Sequence, residues 1–178
     1  MRHRVYFDNA STTAPHPEVL KTYEALLHTA YVNSESLYEE GTQIHDQMEK
    51  ARTAIADLLG CRAKEVIFTG GASESNSMAV KGVALAAPRK NHIITSCIEH
   101  SSILHSCRQM ERLFGYEVTY LPVTEQGVVC IEDVIKALRQ DTVLVSIMLV
   151  NNEVGSINPI DQIKEIVKKR SHAFMHVD

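Results

Sequence analysis

The segment Thr142-Val143-Leu144-Val145-Ser146-Ile147-Met148-Leu149-Val150 is apolar at almost every position. A strand with one face in water alternates apolar and polar residues, whereas a strand inside a parallel sheet is covered on both faces and is apolar throughout. The segment therefore predicts a central strand, residues 142–150, of a parallel sheet.

Strand-like and helix-like segments alternate around this strand. Further strands are predicted at 65–69, 92–95 and 117–121, and in the segment that ends at Asp178. The S-x-x-E spacing of Ser36 and Glu39 predicts a capping box that opens a long amphipathic helix, and Gly60 is a suitable residue to end that helix. Other helices are predicted at 17–30, 73–86, 101–114, 131–139 and 160–170. Repeated βα units with short connections predict an α/β fold, a mainly parallel sheet with helices on both faces.

The composition favours a globular protein of about one domain. The chain has 178 residues, of which 44% are hydrophobic and 22% charged, and its formal net charge is −4. This mild acidity disfavours nucleic acid as a partner, since nucleic-acid-binding domains carry a clustered basic face. No apolar run approaches the ~18 residues of a membrane span, and residues 1–8 lack the apolar core of a signal peptide. Four widely spaced cysteines without a C-x-x-C motif predict reduced thiols and a cytoplasmic location: Cys61, Cys97, Cys107 and Cys130.

Polar clusters follow several of the predicted strands. They are Gly70–Ser75, Glu99–Ser101, Asn151–Glu153 and Asp178. In an open parallel sheet, ligands bind at the edge formed by the carboxyl ends of the strands. The four clusters together predict a ligand pocket at that edge.

The first of these clusters joins a predicted strand to the N-terminus of a helix. Glycine lets a ligand approach the backbone, and the unpaired N–H groups of a first helical turn attract anions. Gly71, Ala72 and Ser73 are therefore candidate phosphate-binding residues, although the spacing matches neither a P-loop nor a G-x-G-x-x-G motif. The alternative is an ordinary connecting turn in which Ser73 is the N-cap.

His100 is the most reactive side chain of the second cluster. A lone histidine between a strand and a helix is most simply a capping or surface residue, but it can also stack on a planar ligand or move a proton. Cys97, His105 and Cys107 lie nearby in sequence, yet the four residues fit no zinc-binding spacing and a helix directs them to different faces. No metal is expected.

The remaining two clusters contribute an amide and a carboxylate. Asn152 can bond a ligand oxygen, and Asp178, at the tip of a strand predicted to be buried, needs a cationic partner because an unpaired buried carboxylate is costly. An anion-binding turn, a stacking imidazole, an amide and a carboxylate for a protonated ring nitrogen together describe a site for pyridoxal phosphate (PLP).

The sequence resembles the NifS/IscS-type cysteine desulfurases of the class V aminotransferase group, which have PLP fold type I. The matching segments run in order along the chain: Tyr6-Phe7-Asp8-Asn9-Ala10-Ser11-Thr12-Thr13, Phe68-Thr69-Gly70-Gly71-Ala72-Ser73-Glu74-Ser75-Asn76, Glu99-His100, Val145-Ser146-Ile147-Met148-Leu149-Val150-Asn151-Asn152-Glu153-Val154-Gly155 and His176-Val177-Asp178. The resemblance implies that residues 1–178 are the N-terminal part of a PLP-binding large domain, with an N-terminal arm and helix over about 1–30.

The resemblance also implies roles for single residues. Ala72 and Ser73 would bind the phosphate, and His100 would stack on the ring and assist proton transfer. Asn152 would face the ring hydroxyl and the substrate, and Asp178 would pair with the ring nitrogen. Asn33 stands where the family has a substrate-side N-P-x-S segment, but here the segment is Asn33-Ser34-Glu35-Ser36 without the proline, and Tyr38 replaces a common histidine.

The reaction implied by the resemblance is transfer of sulfur from L-cysteine to an enzyme cysteine, with release of alanine, for iron–sulfur clusters or other sulfur compounds. The family's Schiff-base lysine, catalytic cysteine loop, substrate-binding arginine and small domain lie beyond the His-Val-Asp motif. We therefore expect residues 1–178 alone to be inactive and to bind PLP weakly or not at all. The parent enzyme is expected to be a homodimer that passes sulfur to acceptor proteins. The alternatives are a related class V enzyme such as a selenocysteine lyase or aminotransferase, a non-catalytic assembly fragment, and an α/β module without ligand.

Overall fold

The computed structural model describes residues 5–87 and 91–178. The chain divides into two compact units, Met1–Phe68 and Thr69–Asp178. The basic residues at positions 2–4, which belong to the segment tested for a signal peptide, lie outside the described residues. Within the described part of the chain, no helix combines the length and the apolar character needed to cross a membrane.

In its described residues, 5–68, the first unit contains two helices and one short 3₁₀ turn. Helix α1 spans Pro17–Thr29 and helix α2 spans Glu39–Leu59. Pro17 occupies the first turn of α1, where its missing N–H costs nothing. Gly60 ends α2 with φ 67°, a left-handed conformation that glycine adopts without steric cost, so the predicted helix end is confirmed.

The predicted capping box at the start of α2 is wrong. The N-cap is Tyr38, and it makes no side-chain capping bond. Ser36 lies instead in the preceding turn, where its N–H donates to the Asn33 carbonyl at 3.1 Å. Asn33 Oδ1 accepts from the Glu35 N–H at 2.9 Å, and this local turn competes with the capping arrangement for the same segment.

The predicted strand at 65–69 is also absent from the described structure. Glu65, the first residue of the predicted strand, belongs instead to a 3₁₀ turn at Ala63–Glu65. The Glu65 carboxylate closes this turn by accepting from the Arg62 N–H at 2.8 Å. Residues 66–69 are not assigned to a strand, and none of the four strands in the described residues pairs with them. Apolar composition predicts a strand, but a strand also requires a hydrogen-bonded neighbour. Ile67 and Phe68 consequently remain 63% and 44% exposed.

Residues 69–87 and 91–178 of the second unit contain a four-stranded parallel sheet with the order β2-β1-β3-β4. Its fold class is the one that the sequence predicts. The elements in chain order are α3 Ala72–Leu85, β1 His92–Ser96, α4 Ser101–Phe114, β2 Glu117–Leu121, α5 Ile131–Ala137, β3 Thr142–Ser146, α6 Ile160–Arg170 and β4 Phe174–His176.

Helices cover both faces of this sheet. On one face, Val80 of α3 and Ile103 of α4 belong to a buried cluster with Ile93 of β1. On the other face, Val134 of α5 and Ile163 of α6 are buried with their own cluster of sheet residues. The two faces explain why β1 and β3 are buried at every position, as the apolar segment 142–150 predicts for its first part.

Candidate functional site at the carboxyl edge of the sheet

The second unit brings its helix N-termini and polar strand ends to one edge of the sheet. All four strands are parallel, so Ser96, Ser146 and His176 end on the same side. Helix α3 runs antiparallel to the strands. Its last turn lies near the amino end of β2, where the hydroxyl of Tyr116, the residue before β2, donates to the Ala84 carbonyl at 2.6 Å. The first turn of α3 therefore lies toward the carboxyl edge.

The turn before α3 is open and rich in unpaired donors. Gly71 is the N-cap and has no side-chain capping bond, so the alternative in which Ser73 is the N-cap is wrong; Ser73 is the second helical residue. Glu74 and Ser75 donate their N–H groups to the Gly71 carbonyl, whereas the N–H groups of Ala72 and Ser73 find no acceptor among the described residues. Glu74 also turns back, and its Oε2 accepts from the Gly70 N–H at 2.6 Å.

Two further observations describe the space above this turn. Gly71, Ala72 and Ser73 are exposed, and a Cβ added to Gly71 would meet no atom within 4 Å. The arrangement of outward N–H groups at a helix N-terminus fits an anion such as a phosphate.

His100 is the N-cap of α4, as the simpler sequence interpretation predicts. Its Nδ1 accepts from the Ser102 N–H at 3.2 Å and lies 2.7 Å from the Ser102 hydroxyl. The residue is exposed, and its Nε2 has no partner among the described residues. Capping through one nitrogen thus leaves the other nitrogen available to a ligand, and the two interpretations are compatible.

Glu99 was predicted only as a member of the polar cluster Glu99–Ser101, without a role of its own. It is 4% exposed, and its carboxylate accepts from the Ser96 hydroxyl at 2.7 Å and from the Met148 N–H at 3.0 and 3.1 Å. Burial, with a smaller contribution from the nearby Asp178 carboxylate, raises the pKa of Glu99 to about 6 against the opposing effect of the hydrogen bonds.

The Glu99 carboxylate also explains why β3 is shorter than predicted. The segment 142–150 was expected to be one strand, but β3 ends at Ser146. Beyond it, the Met148 N–H bonds to Glu99, and the Met148 carbonyl accepts from the Asn158 amide at 2.9 Å. At Met148 side chains replace a neighbouring strand as backbone partners, whereas the N–H groups of Ile147 and Leu149 still donate to the His176 and Asp178 carbonyls.

The adjacent residues Asn151 and Asn152 have different structural roles. Asn151 is 4% exposed; its Oδ1 accepts from the N–H groups of Glu153 and Val154, and its amide donates to the Ile98 carbonyl at 2.9 Å. Asn152 is exposed, and its amide donates to Glu153 at 3.0 Å, which leaves its Oδ1 without a partner in the described chain. Asn151 therefore holds the turn, and Asn152 is the one of the pair that is accessible to a ligand.

Asp178 is exposed, so the expectation that it is a buried carboxylate is wrong. Its strand, β4, pairs on one side with β3, and the described residues provide no strand on the other side. The Asp178 carbonyl accepts from the Leu149 N–H at 3.2 Å, while its carboxylate has no partner in the described structure. On the same strand, His176 Nδ1 lies 2.9 Å from the Ser146 hydroxyl, and burial lowers the pKa of His176.

Further sequence predictions concern Asn33, a metal site and the four cysteines. Asn33, the candidate substrate residue, lies in the first unit and forms the turn described above. Among residues 5–87 and 91–178, no three His, Cys, Asp or Glu side chains are grouped closely enough to hold a metal ion. The four cysteines are free thiols, of which Cys61 and Cys97 are exposed.

The family model for aminotransferase class-V matches residues 5–178. The chain belongs to this family. Among aminotransferase class-V proteins, the chain is 43% identical to cysteine desulfurase IscS of Dictyoglomus turgidum over 100% of its own length and 45% of that protein. It is 42% identical to cysteine desulfurase IscS of Methanosarcina thermophila over 98% of its own length and 43% of that protein. The chain thus spans less than half of the length of these relatives.

Solved structures show the same similarity at the level of the fold. A NifS-like protein superposes with a TM-score of 0.94 at 40% identity, over 99% of this chain and 49% of that chain. The structure of SspA in complex with cysteine superposes with a TM-score of 0.91 at 36% identity, over 97% of this chain and 50% of that chain. The family is PLP-dependent, and the parallel α/β architecture of the second unit agrees with these NifS-like structures.

Proposed function

We propose that this aminotransferase class-V chain provides the cofactor-binding edge of a cysteine desulfurase. The observation that carries the proposal is the open first turn of α3, where the N–H groups of Ala72 and Ser73 find no acceptor among the described residues. A carboxylate such as Asp178 at the same sheet edge as an anion-binding helix N-terminus is suited to a ligand that has a cationic ring nitrogen and a phosphate. The names of the relatives, cysteine desulfurases, support the choice of reaction.

The residues of this chain fit PLP in their chemistry. The N–H groups of Ala72 and Ser73, with Gly71 leaving room, would hold the phosphate, and Asp178 would accept from the protonated ring nitrogen. His100 would lie against the ring and hold or move a proton through Nε2. Asn152 would bond the ring hydroxyl and the substrate through its unpaired oxygen. When bound, PLP supplies the electron sink that stabilises a carbanion at the substrate Cα.

The proposed overall reaction is balanced without an external oxidant. The C–S bond of L-cysteine breaks and an S–S bond forms with an enzyme cysteine, which becomes a persulfide. The substrate Cβ becomes the methyl group of alanine, and this reduction compensates the oxidation of the two sulfur atoms. His100 is the residue of this chain suited to proton movement in the reaction.

The same proposal covers the domain to which the chain belongs, the oligomeric state of the enzyme and its sulfur acceptors. Residues 1–178 would form the N-terminal part of a PLP-binding large domain, which the 45% share of the relatives' length supports. Asn33 would lie near the substrate. The enzyme would be a cytoplasmic homodimer that passes sulfur to acceptor proteins, and the four free thiols of this chain are consistent with a reducing compartment.

The test joins residues 1–178 to the remaining part of Dictyoglomus turgidum cysteine desulfurase IscS. We expect the chimera to bind PLP and to convert L-cysteine to alanine. Asp178→Asn keeps the shape but removes the charge, and should lower kcat roughly a hundredfold, the effect typical of losing one preorganised electrostatic partner. Asp161→Asn, on the exposed side of α6, is the matched control. A folded chimera that binds PLP yet makes no alanine would contradict the proposal.

A further inference from the structure

His100 carries its proton on a defined nitrogen. The Ser102 backbone N–H donates to His100 Nδ1 at 3.2 Å. A backbone N–H cannot accept, so Nδ1 must present its lone pair. In the neutral ring the proton is therefore on Nε2, the nitrogen that has no partner among the described residues.

The Ser102 hydroxyl reinforces this arrangement. Ser102 Oγ lies 2.7 Å from His100 Nδ1, and because Nδ1 is an acceptor, the hydroxyl proton must point toward it. The hydroxyl has only that one proton, so any second partner of Oγ has to be a donor.

Asn76 of α3 supplies that donor. Its Nδ2 lies 2.9 Å from Ser102 Oγ, and the residue is 3% exposed. If the amide were turned, its oxygen would compete for the hydroxyl proton, and two lone pairs would face each other between Ser102 and His100. The donation order is therefore Asn76 amide to Ser102 hydroxyl to His100 Nδ1.

We propose that Ser102 and Asn76 are positioning residues that hold His100 in the Nε2–H tautomer and fix its ring at the N-terminus of α4. The inference rests on the proposed function, in which His100 faces the PLP ring. With Nδ1 occupied, Nε2 is the one ring nitrogen through which His100 exchanges a proton with a substrate. Because Asn76 belongs to α3, the same contacts tie the ring to the helix whose first turn would hold the phosphate.

The direct test is nitrogen NMR of the His100 ring in this chain without cofactor. The wild-type chain should show an unprotonated Nδ1 and a protonated Nε2. Ser102→Ala removes the hydroxyl donor but keeps the backbone N–H, so both resonances should move part of the way toward averaged tautomers. Ser102→Thr, which keeps the hydroxyl, should restore the wild-type spectrum.

Asn76→Asp provides the sharper variant. A carboxylate only accepts, so it would take the Ser102 hydroxyl proton and turn the hydroxyl lone pairs toward His100. We expect the Nδ1 resonance to shift toward the protonated form. Ser77→Asp places the same charge one residue along α3, away from these contacts, and should leave the spectrum unchanged.

The outcomes separate this inference from the proposed function. The inference would be overturned by a mixture of tautomers in the wild-type chain, even if the chimera makes alanine. It would also be overturned if the His100 spectra of Ser102→Ala and Asn76→Asp were the same as that of the wild type. A fixed tautomer in a chain whose chimera makes no alanine would overturn the proposed function alone. In an active chimera, Ser102→Ala should lower kcat about tenfold with little change in KM, as loss of an orienting partner does for metal-bound histidines.

Discussion

Glu99 places a buried carboxylate at the carboxyl edge of the sheet. It accepts hydrogen bonds from Ser96 and from the Met148 backbone, and burial raises its pKa from 4.5 to about 6. Between these two values the folded chain holds a proton that the unfolded chain has released. The free energy of unfolding therefore falls as the pH rises from about 4.5 to about 6 and is then constant with respect to this group.

Glu99→Gln tests this at the scale of one residue. The amide does not titrate, so the difference in unfolding free energy between wild type and variant should fall by about 2 kcal/mol from pH 4.5 to pH 7. Urea denaturation at a series of pH values measures it. Taking the difference removes the opposite contributions of His92 and His176, whose pKa values are lowered by burial. A difference that does not vary with pH would show that Glu99 titrates normally; Glu125→Gln, at an exposed position, is the control.

A glycine at the end of a helix and a glycine in a helix interior differ in backbone conformation. Gly115 is the C-cap of α4 with φ 69°, where a side chain is strained whatever space surrounds it, whereas Gly82 lies inside α3; an added Cβ has no neighbour within 4 Å at either position. The two residues therefore isolate backbone conformation from packing.

The element-scale prediction is that the same substitution acts in opposite directions at these two glycines. Gly115→Ala should lower the unfolding free energy by about 1–2 kcal/mol, the cost of the left-handed conformation. Gly82→Ala should raise it by up to about 1 kcal/mol, because alanine favours the helix interior. Thermal or urea denaturation reports both, and effects of the same sign would contradict the assigned backbone conformations.

His92 connects three strands at the amino edge of the sheet. The residue is fully buried in β1; its Nδ1 lies 2.8 Å from the Thr142 hydroxyl of β3, and its Nε2 lies 2.8 Å from the Thr119 hydroxyl of β2. One imidazole thus bridges β2, β1 and β3, three of the four strands described in the sheet.

At the scale of the whole molecule, His92→Ala should destabilise the second unit by about 2–4 kcal/mol. The variant loses two hydrogen bonds, leaves a cavity and deprives the Thr119 hydroxyl of its His92 partner. Urea denaturation checks the value, with His45→Ala, an exposed position on α2, as the control. A change below about 0.5 kcal/mol would mean that the bridge does not contribute to stability.

Part of the site at the carboxyl edge could be predicted from the sequence. His100, Asn152 and Asp178 follow from a simple rule, that polar residues after parallel strands meet at one edge. Residues 71–73 lie at the N-terminus of α3 although the strand predicted before them is not formed, and the binding roles of all these residues remain predictions. The partners of His100 and Glu99 did not follow, because Asn76 contacts Ser102 from 26 positions away and Met148 contacts Glu99 from 49 positions away. No local pattern records which of many polar residues becomes such a partner.

The amino-acid sequence by itself determined the helices, the strands of the second unit and the α/β class, because apolar periodicity and residues such as Gly60 act locally. Only the tertiary structure decided the strand order β2-β1-β3-β4, the burial of Glu99 and the loss of the predicted strand at 65–69. Each of these depends on which segments become neighbours. A strand exists where another strand completes its hydrogen bonds, and a carboxylate is buried where other elements cover it, and neither condition is a property of the segment alone.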